Sequence, residues 1–397
     1  MTPASEGSNP HVLLFEARTE GHHLPWLRMM IEDLLSGQFR VSVALRQDAE
    51  TQRFLQAHLG ELLRRVPVLP ITTKPREPSA GRLLRRAAQL VQESGADMVF
   101  FCCLDEVASA CLRRAAVGWM PPRTLRGRFG GVFLRPRFLD LQSRTLNQLL
   151  KGLGFRRLVR GQWVGPVLFL DEQLCQRALA AMPDGLFLWL PDPPTQLFDL
   201  AQADARAALG LPPDKRVFLF YGGPYRRKGL HLAVEALASL PPEHPAFLLY
   251  AGLQGPDPKV AAALDRLSAQ GRARLLNRYV TDEEEKACFC GCDVVLLPYL
   301  KHFGSSGVLA QAAAAGKPVI ASDEGLVGYR VRQYGLGWLF PSGDVPALRQ
   351  AILQATTASQ QELQLKRLGA QRYAAQFSRA QFRRHLLQAF SRILGSS

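Results

Sequence analysis

The chain has 397 residues, of which 47% are hydrophobic, and this is enough for two domains of about 150–200 residues with cores of their own. No apolar run approaches the ~18 residues that span a membrane, and the polar N-terminal stretch carries no signal-peptide pattern. The seven cysteines lack the spacing of a disulfide framework or a zinc site, so we expect reduced cysteines in a cytoplasmic protein.

The net charge of +15 is concentrated in one stretch. Between Cys111 and Arg160, twelve basic residues are opposed only by Asp140, which gives this stretch a net charge of +11. Such a density indicates an anionic partner, namely acidic lipid headgroups, a phosphorylated acceptor or nucleic acid, with a solvated basic surface as the alternative. Interleaved apolar residues favour a lipid interface. A buried strand predicted at 130–134 would divide the charges into two faces, carrying respectively Arg113, Arg114, Arg123, Arg126 and Arg128, and Arg156, Arg157 and Arg160.

The first half of the chain alternates apolar strands with amphipathic helices. A strand at 12–16 leads to a helix that begins near His22 and repeats its apolar residues at helical spacing. Further strands are predicted at 40–45, 97–104, 130–134, 158–159 and 167–170, and basic helical stretches at 51–65 and 81–94. This alternation predicts a parallel sheet that is covered by helices on both faces.

A rigid, proline-rich segment at 188–194 is interpreted as the domain linker. Beyond it the pattern restarts, with strands predicted at 216–221, 246–251, 293–298 and 318–322 and helices at 230–240, 258–270, 281–290 and 309–315. A basic amphipathic helix begins at Ser378. We therefore predict an N-terminal domain at 1–192, a C-terminal domain at 193–376, and a C-terminal helix at 377–397 that packs back on the N-terminal domain.

The segment from His302 to Gly328 carries the clearest functional pattern. An apolar strand runs into Gly304-Ser305-Ser306-Gly307, which opens an alanine-rich helix. Glycines and serines before a helix leave backbone N–H groups available, and the helix dipole adds partial positive charge. The pattern predicts an anion site, most often for phosphate. The alternative is an ordinary strand–helix–strand crossover with a glycine-rich turn.

Several stretches of the second half match the motifs of a known family. Gly222-Gly223 with Lys228-Gly229 is similar to the family's phosphate-binding loop, and 279–284 is similar to its nucleobase-contacting turn. The stretch 298–318 is similar to its Glu–seven residues–Glu segment, in degenerate form, and 335–344 resembles the segment that closes the domain. On these residues the chain resembles the retaining GT-B glycosyltransferases of family four, the glycosyl transferases group 1.

The resemblance implies an α/β GT-B fold, with two Rossmann-like βαβ domains that face a central cleft and with a C-terminal helix. It implies a hexosyl-type glycosyltransferase that moves a sugar, with retention, from a nucleotide-sugar donor in the C-terminal domain to an acceptor hydroxyl. No Asp-x-Asp pair occurs in the sequence, so we expect no metal at the diphosphate. No cofactor is expected, because the nucleotide sugar is a substrate.

The expected donor site follows from the matched motifs. Lys228 and Arg227 would act as catalytic residues by stabilising the leaving diphosphate. Gly223 stands where the family has a phosphate-binding Arg, and Phe303 and Gln311 stand where it has two Glu residues. Gln311 would hold the ribose as a neutral group, and Arg226 or Arg227 would replace the missing Arg. The expected donor-binding residues are Gly222, Gly223, Arg226, Val280, His302, Phe303, Gly304, Ser305, Ser306, Gly307 and Gln311.

The acceptor side is predicted at the ends of the strands and in the loops of the N-terminal domain. The loop Glu20-Gly21-His22-His23 resembles the family's glycine-rich acceptor loop. His22 and Asp105 are the candidates for catalysis, as groups that orient or deprotonate the acceptor hydroxyl, and Gly21, His23 and Glu106 are acceptor-side candidates. Helix capping is the alternative role of Asp105 and Glu106.

Three other functions compete with sugar transfer to a hydroxyl. A GT-B epimerase would rely on carboxylates that the sequence does not place. A non-catalytic GT-B-like protein would bind an anionic ligand or a partner enzyme. Nucleic-acid binding lacks a recognised module, so we expect no nucleic-acid partner. The expected partners are a nucleotide-sugar donor, a lipid-linked acceptor and an anionic membrane surface, with a cytoplasmic location at the inner face of the membrane.

Overall fold

The computed structural model describes residues 9–18, 23–46, 52, 55–56, 59–71, 80–140, 145–223 and 225–395. The chain divides into two compact units. Unit 1 comprises Met1–Pro191 together with Ala380–Ser397, and unit 2 is the continuous stretch Asp192–Arg379. The chain therefore passes from one unit to the other twice.

Unit 1 is built on a seven-stranded parallel sheet with the strand order β3-β2-β1-β4-β5-β6-β7. Residues on successive positions of β1 point to opposite faces, and both sets are buried, as expected for a parallel sheet with helices on both sides. The strands are β1 His11–Glu16, β2 Arg40–Leu45, β3 Val68–Pro70, β4 Met98–Phe101, β5 Phe129–Phe133, β6 Val164–Phe169 and β7 Phe187–Trp189. The helices are α1 His23–Ser36, α2 Ala80–Ser94, α3 Asp105–Ala116, α4 Leu146–Arg160 and α5 Glu172–Ala181.

Unit 2 is built on a six-stranded parallel sheet with the strand order β10-β9-β8-β11-β12-β13. Its strands are β8 Arg216–Tyr221, β9 Ala246–Ala251, β10 Ala273–Leu276, β11 Val294–Leu297, β12 Val319–Ser322 and β13 Gly337–Phe340. Its helices are α6 Gln202–Leu209, α7 Leu230–Ala238, α8 Pro258–Ala269, α9 Asp282–Gly291, α10 Gly307–Ala314, α11 Gly325–Tyr334, α12 Val345–Thr357 and α13 Gln360–Gln376.

Helix α14, Arg379–Leu394, returns to unit 1 and completes its core. Phe382, Leu386 and Phe390 are fully buried on its apolar stripe. The Phe390 ring lies 5.0 Å from that of Phe100 in the centre of the sheet, measured between centroids. His385 Nδ1 lies 2.8 Å from the carbonyl oxygen of Trp189, which ties the helix to β7.

Two of the predicted elements are wrong. Leu158 and Val159, predicted as a strand, belong to α4, where Phe155, Leu158 and Val159 form one buried face at helical spacing. The segment 188–194 is not wholly a linker, because its first residues lie in β7. In the predicted helical stretch 51–65, the described part contains the short 3-10 helix Leu62–Arg64, and the remainder lies partly outside the described residues.

Candidate functional site

In both sheets the strand order reverses at the first strand of the unit, between β1 and β4 in unit 1 and between β8 and β11 in unit 2. In open parallel sheets, ligands bind outside the carboxyl ends of the strands at this position. In unit 2 the loops that follow β8 and β11 meet there. They carry most of the residues that the sequence assigns to the donor site.

The loop after β8 is held in place by glycine. Gly229 has a φ of 77°, which favours a residue without a Cβ. A Cβ at this position would lie 1.8 Å from the carbonyl oxygen of Pro298, which follows β11. The 3-10 turn Arg226–Lys228 is therefore pressed against the loop after β11.

The side chains of this turn contact the second loop. Lys228 Nζ donates to Tyr299 Oη at 3.1 Å and lies 4.3 Å from the centroid of the same ring. Arg227 Nη1 lies 3.0 Å from His302 Nδ1, and His302 Nε2 lies 3.1 Å from the carbonyl oxygen of Ser305. A guanidinium only donates and a carbonyl only accepts, so Nδ1 accepts and Nε2–H donates, as in a neutral imidazole.

Helix α10 begins directly beside these cations. Ser306 is its N-cap, since its hydroxyl accepts the N–H of Leu309 at 3.3 Å, and the same hydroxyl lies 3.2 Å from Tyr299 Oη. Gly307, the first residue of the helix, is exposed, and a Cβ there would meet no atom within 4 Å. The first N–H groups of a helix have no acceptor within it. A helix start beside Lys228 and Arg227 forms a site for a strongly anionic group.

Buried polar groups fix Ser305, which precedes the N-cap. Its hydroxyl donates to Asp192 Oδ2 at 2.7 Å and accepts from Arg330 Nη1 at 2.8 Å. Arg330 is fully buried, and its guanidinium carbon lies 4.4 Å from the centroid of the Phe377 ring. The anion site thus connects to the first residue of unit 2 through hydrogen bonds.

Gln311 lies one turn into α10 and is buried. Its Nε2 donates to Glu285 Oε1 at 2.7 Å and to Thr195 Oγ1 at 3.1 Å. Tyr221 donates to the other oxygen of Glu285. Burial raises the pKa of Glu285 and, together with that carboxylate, the pKa of Tyr221. Among the described residues, the carbonyl oxygen of Gln311 has no hydrogen-bond partner, so it can accept from a ligand hydroxyl.

Other expected donor residues are peripheral to the Lys228–His302 group. The side chain of Arg226 is 77% exposed and lies 3.9 Å from Asp257 Oδ2. Phe303 is partly exposed, Val280 is half-buried, and Gly222 and Gly223 line the loop after β8. Of the two arginines considered as replacements for the missing Arg, Arg227 is the one that contacts His302.

In unit 1 the corresponding edge carries acidic groups. Glu16, the last residue of β1, is buried. Its Oε2 lies 3.0 Å from His23 Nδ1, and its Oε1 accepts the backbone N–H of Arg18 at 2.8 Å. The Arg18 guanidinium pairs with Glu106 at the start of α3. Burial, and secondly the charge of Glu16, raise the pKa of Glu106. The predicted residues Gly21 and His22 lie outside the described residues.

Asp105 supports the neighbouring loop. Its carboxylate accepts the N–H groups of Leu134 at 2.7 Å and Arg135 at 3.2 Å, directly after β5. Burial raises the pKa of this carboxyl, and the two backbone N–H groups oppose that shift. Asp105 therefore positions the end of β5. Its neighbour Glu106 pairs with the guanidinium of Arg18, whose backbone N–H donates to Glu16, the carboxylate beside His23.

Sequence reasoning missed several residues of these sites, among them Glu16, Tyr299, Asp192 and Arg330. Glu16 ends β1, and Tyr299 lies in the loop that follows β11. A polar side chain at the carboxyl end of a central strand is the signal that could have identified both residues. Asp192 and Arg330 are distant in sequence from the loop that they hold, and no local pattern points to them. In the described part of the chain, no three His, Cys, Asp or Glu side chains are grouped so that they could hold a metal ion. No described helix has the length and apolar character to cross a bilayer.

Comparison with known proteins finds one family whose model matches part of the chain. Residues 201–372 match the model of the family Glycosyl transferases group 1. The chain is 32% identical over 200 residues to a D-inositol 3-phosphate glycosyltransferase of Mycobacterium bovis, covering 48% of this chain and 40% of the relative. A Corynebacterium urealyticum protein of the same name is 28% identical over 186 residues, covering 45% of this chain and 43% of the relative. The chain thus spans about two fifths of the length of these relatives.

Solved structures match nearly the whole chain. A Rickettsia africae glycosyltransferase has a TM-score of 0.70 at 14% identity, covering 98% of this chain and 100% of that one. The Anabaena protein HepE, solved with UDP, has a TM-score of 0.70 at 18% identity, covering 96% and 100%. Two parallel α/β units with a C-terminal helix form the GT-B fold, which confirms the predicted fold class.

Proposed function

Since residues 201–372 match the glycosyl transferases group 1 family, we propose that the chain transfers a sugar from a nucleotide-sugar donor to an acceptor hydroxyl. One observation carries the proposal: Lys228, Arg227 and the start of α10 lie together at the switch point of the unit 2 sheet. Two cationic side chains and the N–H groups of a helix start suit the diphosphate of such a donor.

The proposed reaction breaks the bond between the anomeric carbon and the diphosphate oxygen and forms a bond between that carbon and the acceptor oxygen. Positive charge develops on the sugar ring and negative charge on the leaving diphosphate, which takes the bonding electrons. Lys228, Arg227 and the N–H groups at Gly307 and Val308 stabilise this negative charge as it forms. Tyr299, bonded to both Lys228 and Ser306, keeps the ammonium aligned with the helix start.

At the nucleoside end, Gln311 offers its unpaired carbonyl oxygen to a ribose hydroxyl. The Anabaena neighbour was solved with UDP and with UDP-glucose, which supports a uridine nucleotide and a hexosyl group for this chain. We include retention of the anomeric configuration and independence of metal in the proposal. In unit 1, Glu106 and the Glu16–His23 pair orient the acceptor hydroxyl and accept its proton.

Thermal unfolding with a panel of nucleotides tests the proposal. UDP should raise the melting temperature more than ADP or GDP, because a ligand that binds the folded state stabilises it by mass action. Lys228→Ala should abolish most of the shift, whereas Lys259→Ala, an exposed lysine at the start of α8, should preserve it. If no nucleotide stabilises the protein, the donor site is refuted.

A non-catalytic GT-B-like protein is the second candidate, because Phe303 occupies the position of the family's first Glu. Phe303 offers a ring in place of a carboxylate and is 38% exposed. The two candidates differ in one measurement. The enzyme should release free nucleoside diphosphate from its nucleotide sugar once an acceptor is supplied, whereas the non-catalytic protein should bind the nucleotide sugar without consuming it.

We propose a cytoplasmic location at an anionic membrane surface, which the basic stretch would bind. Arg128 donates to the carbonyl oxygen of Ala96 at 2.7 Å, just before β4, and Arg126 to that of Gly161 at 3.3 Å. Arg157, near the end of α4, donates to Ala116 at the end of α3. Arg126 and Arg128, before β5, and Arg157, near the end of α4, therefore all lie at the amino edge of the sheet, which supports a single basic surface there.

Co-sedimentation with liposomes tests this location. The protein should sediment with vesicles that contain phosphatidylserine, and not with phosphatidylcholine alone. Binding should weaken as salt rises, since the Debye length shortens. A variant with Gln at 113, 114, 123, 126 and 128 should remain in the supernatant. Supernatant protein with acidic vesicles at low salt would exclude membrane attachment.

A further inference from the structure

Helices α3 and α4 approach each other unusually closely in unit 1. A Cβ at Gly154 would lie 1.8 Å from the carbonyl oxygen of Leu112, so only glycine allows this contact. One turn before each of these residues, Lys151 Nζ donates to Ser109 Oγ at 3.0 Å. The two helices thus run side by side in the same direction, and Lys151 is carried to the carboxyl edge of the sheet.

A pocket of about 70 Å³ lies at this edge. A site for one water needs about 10–15 Å³ by the same measure, so the pocket has room for about five atoms of that size. That is the size of a tetrahedral oxyanion. Its lining combines α3, α4 and the loop after β5, and the polar side chains are Asp105, Ser109, Arg135, Arg137, Gln148 and Lys151.

Positive charge dominates this lining. Lys151, Arg135 and Arg137 are the three cations of the pocket, and Arg113 lies near enough to act on Lys151. Burial, and then the charge of Arg113, lower the pKa of Lys151, while Asp105 opposes this shift and Arg137 adds to it. The one acidic side chain, Asp105, is engaged with the backbone N–H groups of Leu134 and Arg135. A cation crowded by other cations gains from an added anion.

Gln148 provides a polar group without a partner. Among the described residues, its buried carbonyl oxygen accepts no hydrogen bond. Such an atom is satisfied by a hydroxyl of a bound ligand, because buried polar groups are otherwise paired. The pocket therefore combines cations for an oxyanion with an acceptor for a neighbouring hydroxyl.

We propose that this pocket binds a phosphate group that is carried by the acceptor, either as a soluble phosphomonoester or as the headgroup of a lipid. The inference rests on the proposed function, because it identifies the acceptor class of the same reaction. The position agrees with that role, since the pocket includes Asp105, next to Glu106 at the start of α3, which follows β4. Arg126, Arg128 and Arg157 are separate from the pocket, because they contact backbone at the other end of α3 and α4.

Binding of inorganic phosphate, measured by isothermal titration calorimetry, tests the site without any transfer reaction. Lys151→Gln should weaken phosphate binding at least tenfold. Arg160→Gln makes the same change of charge at an exposed position on the last turn of the same helix and should leave binding unchanged. Both variants are made in the Lys228→Ala background, because the cationic donor site would itself take up inorganic phosphate. An equal phosphate affinity in this background with and without Lys151→Gln would overturn the proposal.

Two further arms identify the source of the phosphate. Glycerol 3-phosphate should compete with inorganic phosphate if the ligand is soluble. If it is a lipid, vesicles of phosphatidic acid in phosphatidylcholine should bind wild type more tightly than Lys151→Gln, whereas phosphatidylserine vesicles should bind both equally through the amino-edge arginines. If neither glycerol 3-phosphate nor phosphatidic acid binds, the proposed phosphate site is wrong. UDP affinity, measured in parallel, separates the two proposals: its absence refutes the donor site, while phosphate binding through Lys151 stands by itself.

Discussion

The two units share one topological position, the switch point of a parallel sheet, and place opposite charges there. In unit 1 Glu16 ends β1, and Glu106 lies at the start of α3, which follows β4. In unit 2 the equivalent ends of β8 and β11 lead to Arg227 and Lys228 on one loop and to the glycine–serine start of α10 on the other.

If the proposed function is correct, this difference lets one architecture serve two halves of a reaction. The parallel sheet fixes where a ligand binds, and the side chains at that edge decide which ligand it is. A carboxylate with a raised pKa, as at Glu106, suits a hydroxyl whose proton must leave. Cations and helix N–H groups suit a diphosphate. Substitutions at either edge test this comparison. Four variants follow in order of decreasing expected effect.

The largest effect should come from Gly229→Ala, which displaces the basic loop of unit 2. The Cβ would collide with the Pro298 carbonyl, and the residue would keep a positive φ. We expect a loss of about 4 kcal/mol in the free energy of unfolding, since overpacking costs about 1–3 and a left-handed non-glycine about 1–2 kcal/mol. Chemical denaturation measures it. Gly271 has a φ of 64°, but a Cβ there would meet no atom within 4 Å. Gly271→Ala should therefore cost only about 1–2 kcal/mol for the left-handed backbone.

Glu106→Gln should remove one carboxylate of the unit 1 edge and leave Glu16 in place. Proton transfer by a positioned group contributes about 100-fold or more to the rate, so turnover should fall by about that factor while UDP affinity is kept. The pKa of Glu106 is raised by burial and by Glu16. If its ionised form accepts the proton, wild-type activity falls as pH drops through this raised pKa. A variant that retains the acidic limb of the pH–rate profile would exclude Glu106 as the base.

Lys228→Ala should act on unit 2 alone. Removing a charged hydrogen bond to the diphosphate costs about 1.5–3 kcal/mol, so UDP affinity should fall by about 10- to 150-fold. Uridine without phosphates should bind both forms equally, because the ammonium contacts only the phosphates. Calorimetric titration of UDP and uridine provides the comparison, and an unchanged UDP affinity would remove Lys228 from the site.

The smallest effect concerns Glu285, the carboxylate that Gln311 contacts. Gln311→Glu would place a second carboxylate where the amide now lies 2.7 Å from Glu285 Oε1. UDP affinity should fall by about 1 kcal/mol, the net value of one hydrogen bond. Adding Glu285→Gln exchanges amide and acid between the two positions and should restore the affinity. Failure of the double variant to recover would show that Gln311 does not contact the ribose.

Local sequence patterns predicted the architecture well, including the strands that lead into the loops after β8 and β11. Glycines, strand ends and the capping box at Thr281 depend on neighbours in the chain, and the box forms as expected, with Thr281 and Glu284 as reciprocal partners. Strands of three or four residues such as β3 and β10 were not predicted, because so short a run carries little periodicity.

Contacts between distant residues could not be predicted. Gln311 meets Glu285 and Thr195, and Ser305 meets Asp192, only because the sheet brings the ends of separate segments together. The basic stretch shows the same limit. Its charges are continuous in sequence, yet α3 and α4 carry some to the amino edge and leave Lys151 with Arg135 and Arg137 at the other. The charge predicted an anionic partner, while the packing at Gly154 created the pocket.

The return of α14 to unit 1 has a consequence for synthesis of the chain. Phe382, Leu386 and Phe390 fill the core beneath β4 and β1, but they leave the ribosome only after every residue of unit 2. Domains fold as units during synthesis, usually in order from the N-terminus. Here the unit that emerges first must wait for its final helix, so unit 2 can complete its fold while unit 1 still exposes the apolar groove that α14 will cover.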